Sequence, residues 1–257
     1  MLAIEREEYI LNSLKQNKIA QVSDLSKEMD VTEETIRRDL EKLEKRGLIQ
    51  RVHGGAYLKE GFGNETPLSV REKVFQKEKE KLARYCIKEI NEKESVFLDC
   101  SSTALYLAKE IRLSQKKIIV VTNSISIAKE LDLCSHVRLI MLGGERDLDR
   151  NACHGEVTVQ MMQKYFVNKA FISGAGISLD AGLTDYTQEE AALRQTAIRQ
   201  AKRTYFMADI TKIGRYAVNI YGNLEQLYAL VVNTSITGKD EALEKKLNEL
   251  GVKLIVA

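Results

Sequence analysis

Tryptophan is absent from the 257 residues, proline occurs once, at Pro67, and aromatic residues make up only 6%. With 44% hydrophobic and 30% charged residues, such a chain is not collagen-like, proline-rich or largely disordered. An excess of one charge is missing too: 39 Lys and Arg face 37 Asp and Glu, a net of +2. Bulk charge therefore gives no ground for nucleic-acid binding, and such a claim has to rest on local chemistry. The four cysteines, Cys86, Cys100, Cys134 and Cys153, lie far apart without a C-x-x-C pair, which suits a reduced, cytoplasmic protein. The opening MLAIEREEYI has no apolar h-region, so no signal peptide is expected. No apolar run approaches the roughly 20 residues of a membrane span, so no membrane partner is expected.

What is present falls into two parts. In residues 1–58, Ile4, Ile10, Leu11 and Leu14 recur at helical spacing, as do Val22, Leu25 and Met29, and then Ile36, Leu40 and Leu43. Thr32 is a helix N-cap by type, with Glu33 and Glu34 in the positive first turn, and the helix it opens stops near Gly47. LIQRV and AYL flank His53-Gly54-Gly55 as a hairpin. Residues 59–74 read as a linker, because Gly61, Gly63, Asn64 and Pro67 crowd into one stretch.

Over 75–257 short β-branched runs alternate with amphipathic stretches. The runs are 95–99, 117–123, 137–144, 169–176, 203–209, 227–233 and 252–257; the helical stretches are near 77–92, 103–112, 124–131, 155–167, 187–202 and 238–250. Strands apolar on both faces predict an α/β domain with a mostly parallel sheet covered on both sides. In such sheets ligands bind beyond the carboxyl ends of the strands. Those ends carry Asp99 through Thr103, Thr122-Asn123-Ser124, Gly143-Gly144, Gly174-Ala175-Gly176 and Asp209 through Lys212.

The helix at 21–29, the turn at Asp30-Val31 and the helix from Thr32 fit a helix-turn-helix over about 20–39. Ile36, Leu40 and Leu43 face inward, which leaves Glu33, Glu34, Arg37, Arg38 and Glu41 outward. From residue 36 to 53 six basic residues face three acidic ones, a local surplus in a neutral chain. Arginine can take guanine O6 and N7 bidentately, while phosphate contacts set register. Spacing alone fits a solvated amphipathic helix equally well. The ordered string "VTEETIRRDLEKLEKRGLIQRVHGGA" from Val31 to Ala56, with Arg6, Ile10, Leu14 and Val22-Ser23-Asp24-Leu25, resembles the winged helix-turn-helix of DeoR-type bacterial regulators. The resemblance implies that Thr32, Thr35, Arg37 and Arg38 contact operator DNA. It also implies that Arg51, His53 and Gly54 form the wing, and that Asp39 pairs with an arginine instead of touching DNA.

Residues 75–233 resemble the C-terminal sensor domain of the same family, which is similar in fold to ribose-5-phosphate isomerases. The matching strings include "VFLDCSST", "VVTNS", "LGGE", "AFISGAGIS", "GLTDYTQEEAALRQ" and "ADITKIG". A phosphorylated sugar effector and a homodimer or larger homo-oligomer are implied. Ser101, Ser102 and Thr103, where a strand feeds a helix, offer hydroxyls and N–H groups to an anion. Lys212 supplies a positive charge for a phosphate. Asp99 and Asp209 are candidates to accept sugar hydroxyls, with Thr122 and Asn123 at the next strand end, and Gly143, Gly144, Gly174 and Gly176 allow close backbone approach to a ligand. Four positions depart from the family pattern: Ser101 and Ala175 replace a glycine and a polar residue, Ile210-Thr211 replaces Ser-Ser, and Glu156 replaces a proline.

Three other functions compete with this reading. An isomerase needs a carboxylate base near the substrate, but Ser173-Gly174-Ala175-Gly176 has none, and Glu189 and Glu190 read as helix surface, so no enzyme activity is expected. G-x-G-x-x-G fails at Leu179 and no P-loop occurs, so no nucleotide cofactor is expected. Cys134-x-His136 and Cys153-His154 would make a four-ligand metal site only if the fold joined them; the plainer expectation is buried, apolar cysteines and no metal. The combined expectation is a regulator, by type a repressor of a carbohydrate-metabolism operon.

Overall fold

A computed structural model describes residues 2–17, 19–52, 54–58 and 68–257, in two units, Met1–Phe75 and Gln76–Ala257. The first contains α1 (Ala3–Asn17), β1 (Ile19–Gln21), α2 (Val22–Met29), α3 (Glu33–Lys45), β2 (Ile49–Val52), β3 (Gly55–Leu58) and α4 (Leu68–Lys73). Its core is the helical stripe expected from the spacing: Ile10, Leu14, Val22, Leu25, Met29, Ile36, Leu40 and Leu43, joined by Ala20, Ile49 and Ala56. Ile4 is the exception and lies exposed near the start of α1. Asp30 ends α2 in the left-handed region, and the Ser26 hydroxyl donates to the Val31 carbonyl at 2.6 Å, which fixes the turn into α3. The three strands form a sheet in the order β1-β3-β2. β1, three residues long, is too short to leave a pattern; at Gly55 a Cβ would collide with the Ala20 carbonyl, so β3 can approach β1 only through glycine. Residues 68–73 of the expected linker are helical, while its Gly61, Gly63, Asn64 and Pro67 lie outside the described residues, as does His53.

The second unit contains α5 (Gln76–Cys86), β4 (Ser95–Leu98), α6 (Ser102–Ser114), β5 (Ile118–Thr122), α7 (Ile125–Leu131), β6 (Val137–Met141), β7 (Glu145–Asp147), β8 (Ala152–His154), α8 (Glu156–Met162), β9 (Val167–Ile172), β10 (Gly176–Ser178), β11 (Gly182–Asp185), α9 (Gln188–Arg199), β12 (Ala201–Ala208), β13 (Asn219–Gly222), β14 (Ala229–Val232), α10 (Glu241–Glu249) and β15 (Lys253–Val256). The seven apolar runs supply one seven-stranded sheet, ordered β15-β14-β12-β9-β4-β5-β6, with every pairing parallel. Two apolar clusters serve this unit. One is built on Phe97, Ile172, Phe206 and Leu230, the other on Leu98, Leu107, Phe171 and Met207. Neighbouring strand residues such as Phe97 and Leu98, or Phe171 and Ile172, divide between the two, because successive side chains on a strand point to opposite faces.

The order places a switch point between β4 and β9. From β4 the chain runs outward through β5 and β6; from β9 it runs the other way through β12, β14 and β15. In open parallel sheets such a switch point, at the carboxyl ends of the strands, is where ligands bind. Two small antiparallel groups, β7-β8 and β10-β11-β13, add to the unit.

Candidate functional site

Two sets of residues carry chemistry, one in each unit. In the first, Thr32 caps α3: its hydroxyl oxygen accepts the Thr35 N–H at 3.3 Å and lies 2.9 Å from the Thr35 hydroxyl. Arg37 and Arg38 project from the outer face with side chains 51% and 74% exposed. Each is held by an acid one turn back, Arg37 by Glu33 at 2.5 Å and Arg38 by Glu34 at 3.5 Å. Exposed pairs of this kind contribute under about 1 kcal/mol, so phosphates can replace the carboxylates at little cost. Arg51 on β2 donates to Glu44 through both its backbone N–H, at 2.8 Å, and its guanidinium, at 2.7 Å. Gly54, exposed at the hairpin tip with φ of +83°, occupies backbone space that favours glycine. Asp39 is buried and pairs with an arginine as expected, Arg6 of α1 at 2.7 Å, and Lys42 of α3 lies 3.4 Å away.

In the second unit the switch point gathers the ends of β4, β9 and β12. Asp99 is buried, and its carboxylate is fully engaged by the protein. Oδ1 accepts the Ser101 N–H and hydroxyl at 3.2 and 2.6 Å, and Oδ2 accepts the Ser173 N–H at 3.0 Å and Arg194 Nε at 2.7 Å. Asp99 therefore ties β4 to β9 and does not present free lone pairs to a sugar. Ser101, where the family pattern has glycine, has ordinary extended φ and ψ and caps α6, its hydroxyl accepting the Ala104 N–H at 3.1 Å. Ser102 and Thr103 form the first turn of α6, whose leading N–H groups lack helical partners. Lys212, in the turn after β12, reaches back to donate to the Ser173 hydroxyl at 2.7 Å. Asp209 caps that turn through the Thr211 N–H at 2.9 Å.

The remaining expected ligand groups fare unevenly. Thr122 is spent inside the sheet, donating to the Leu98 carbonyl at 2.7 Å and accepting the Ser124 N–H at 3.1 Å. Asn123 donates to the Cys153 carbonyl at 2.9 Å, while its own Oδ1 is buried without a hydrogen-bond partner. The glycines allow close approach, but of the chain to itself. A Cβ at Gly144 would collide with Thr158 Oγ1 and the His154 carbonyl, one at Gly174 would stand 2.5 Å from the Tyr221 hydroxyl, and one at Gly176 would collide with the Arg215 carbonyl. Gly143 is held by the Thr158 hydroxyl at 2.8 Å. Gly143 and Gly144 sit beyond β6, an outer strand of the sheet and two strands from the switch point.

Three charged residues at this end escaped the sequence reading. Glu190, expected on the helix surface, is buried, and so are Arg194 and Asp185. Arg194 ion-pairs with Asp99, Asp185 and Glu190 at 2.7, 2.5 and 3.2 Å, and Arg150 reaches Glu190 at 3.1 Å. The available signal was helical phase: Glu190 and Arg194 share a face with buried Leu193 and Ala197 of α9. Burial, more than the opposing pull of Arg194, pushes the Asp185 carboxyl up to about 6 from its ordinary 3.8. A folded value above the unfolded one means that the native state holds the proton more tightly. Its stabilising contribution is complete below about 3.8 and is lost as pH rises through about 6. Asp185→Asn is expected to flatten the fall in stability across that window, read from denaturant midpoints at several pH values; an unchanged slope would assign the titration to another group.

His154 is buried with neither ring nitrogen hydrogen-bonded, and burial pulls its imidazole below the ordinary 6.5. Cys100, whose thiol burial and then the Glu190 charge push well upward, donates to Glu190 Oε1 at 3.0 Å. The Cys-His pairs noted in the sequence do not meet. Cys134 and His136 precede β6, whereas His154 lies with Cys100 and Glu190 at the carboxyl end of the sheet. Cys153 and His154 are successive on β8, so their side chains point to opposite faces.

Comparison with known proteins agrees with the two-unit architecture. Residues 6–61 match the DeoR-like helix-turn-helix domain and residues 74–234 the DeoR C terminal sensor domain. Across 99% of its length the chain is 34% identical to the uncharacterized HTH-type transcriptional regulator YulB of Bacillus subtilis (strain 168), covering 96% of that protein. It is 31% identical over 98% of its length to the HTH-type transcriptional repressor GlcR of the same organism, covering 95% of it. It is 27% identical over 90% of its length to the glycerol-3-phosphate regulon repressor of Escherichia coli (strain K12), covering 90% of it. Among solved structures, a ribose 5-phosphate isomerase of Methanocaldococcus jannaschii shares 15% identity at a TM-score of 0.40, covering 54% of this chain and 55% of that one.

Proposed function

Because the chain belongs to the DeoR-type family of bacterial transcriptional regulators, we propose that it represses a carbohydrate-use operon under the control of a phosphorylated sugar or related metabolite. The family's helix-turn-helix binds operator DNA, and the curated relatives are named regulators and repressors, not enzymes. Thr32, Thr35, Arg37 and Arg38 read the operator from α3, and Arg51, His53 and Gly54 contact it from the wing. One such head covers half an operator, so the active species is a homodimer or larger homo-oligomer with half-sites about one helical turn apart, or a multiple of it.

The observation that carries the effector reading is the position of Lys212. Its ammonium lies 2.7 Å from Ser173 Oγ, and Ser173 in turn is bonded to Asp99, two residues before the α6 cap. A point cation and the first turn of a helix thus converge on the switch point, and together they suit a phosphate dianion. The relative named for a glycerol-3-phosphate regulon supports a phosphorylated effector. The effector shifts the protein toward an arrangement whose heads no longer match operator spacing, and only by as much as it binds that arrangement more tightly.

Thermal unfolding of the full chain with a panel of sugar phosphates, each beside its parent sugar, tests this. At about 100 times its Kd a true effector adds about 2.7 kcal/mol. One phosphorylated compound is expected to raise the melting temperature while its parent sugar does not, and Lys212→Ala is expected to abolish that response with operator binding intact. Equal shifts from parent and phosphate, or a wild-type response in Lys212→Ala, would reject the phosphate site.

A further inference from the structure

Cys100, His154 and Glu190 come from three separate elements: the loop after β4, the end of β8 and the first turn of α9. Their sulfur, imidazole and carboxylate ligand atoms all lie within 4.8 Å of one another, and among the described residues no other group of three His, Cys, Asp or Glu side chains comes together in this way. All three are buried, with His154 only 6% exposed. We propose that these residues form a binding site for one divalent transition-metal ion of the zinc class.

The orphaned imidazole is the first argument. A buried polar group without a partner is destabilising, and here both ring nitrogens of His154 lack one while two potential co-ligands stand beside it. The donor set is the second. Sulfur with imidazole selects zinc and its neighbours over magnesium or calcium, and a carboxylate is a regular third ligand. Three protein ligands leave a fourth position open. Charge is the third. The buried carboxylates of Asp99, Asp185 and Glu190 surround the buried guanidinium of Arg194, and the Asp147 carboxylate faces Arg150 at 2.5 Å. Four carboxylates against two guanidiniums leave room for a dication. On binding, the Cys100 Sγ–H bond breaks, its proton passes to solvent, and the S–H···Oε1 hydrogen bond at 3.0 Å is replaced by ligation. Arg150 keeps Asp147 when Glu190 turns to the ion.

The site is independent of the sugar-phosphate reading, so it is tested without any sugar phosphate. The full chain, stripped with chelator and exchanged into clean buffer, is titrated with cobalt(II) alone. The expected result is saturation at one equivalent per chain, with a sulfur-to-cobalt charge-transfer band and the visible bands of a four-coordinate ion, all lost on adding zinc. Cys100→Ser is expected to remove the charge-transfer band, and His154→Gln to weaken binding at least tenfold. Cys134→Ser and Cys153→Ser are expected to leave both unchanged. Circular dichroism of each metal-free variant establishes that it is folded, and the wild-type titration stands whatever the variants do. The proposal is overturned if the wild-type chain shows no charge-transfer band, if the band survives Cys100→Ser, or if it disappears in Cys134→Ser or Cys153→Ser.

Discussion

Alanine at Arg37 or at Arg38 is expected to weaken specific operator binding by about 1–3 kcal/mol each, roughly tenfold to more than a hundredfold. The two lie on adjacent residues of one helix face, so the double variant need not be additive. Stability is expected to change little, because both side chains are exposed and their partners Glu33 and Glu34 are exposed as well. Gel-shift titration against specific and scrambled duplexes at fixed salt separates two roles. A base-reading arginine loses affinity for the specific duplex alone; a phosphate-binding one loses affinity for both and lowers the salt slope by about one. Normal operator affinity in both single variants and in the double would remove α3 as the reading helix. Asp39→Ala makes a useful contrast. It strips Arg6 of its buried partner and is expected to act through stability and not through contact with DNA.

Arg194→Met is expected to cost the α/β unit about 3–5 kcal/mol, the range for breaking a buried pair by removing one partner. The guanidinium holds three buried carboxylates from three places in the chain: Asp99 after β4, Asp185 at the end of β11 and Glu190 in the first turn of α9. Without it those carboxylates repel one another in a dry setting. Two readings check the cause. Lowering the pH is expected to restore part of the loss, since the Asp185 carboxyl, pushed up by burial, then takes a proton, and Arg194→Lys is expected to lose less because the charge survives without the planar fork. A loss under about 1 kcal/mol in denaturant unfolding would mean that water reaches the cluster and screens it.

These two arginine sets differ in how far the chain alone reveals them. Arg37 and Arg38 sit in an unbroken local string, and the inward spacing of Ile36, Leu40 and Leu43 already turns them outward. The Thr32 cap, the stop near Gly47 and the hairpin strands around residues 53–55 are likewise local, and the structure reproduces the cap, the stop and the strands. So are the seven apolar runs, each of which becomes a strand of the main sheet, and the six amphipathic stretches, each of which contains a helix. Short-range periodicity and side-chain propensity are enough for such elements, because the forces that select them act within about one turn or one strand. The small strands β1, β7, β8, β10, β11 and β13 are not among these runs, and the first four of them are only three residues long.

Partners across the fold obey a different rule. Cys100 and Glu190 meet across 90 positions, and Arg194 reaches Asp99 across 95. No local pattern encodes which strand lies beside β4, and it is the placement of β9 there that creates the switch point and brings Ser173, and through it Lys212, to Asp99. The glycines teach the same lesson. The sequence suggests that Gly144, Gly174 and Gly176 let a ligand approach closely, but a missing Cβ looks alike whether the neighbour is a ligand or the chain itself, and the atoms crowding these positions belong to the chain. Sequence therefore specifies the longer elements and which face of α3 turns outward, since both follow from local spacing. The anchoring of Asp99, the burial of Glu190 and the meeting of His154 with Cys100 arise only when the sheet closes, because residues distant in the chain come together through the packing of the whole unit.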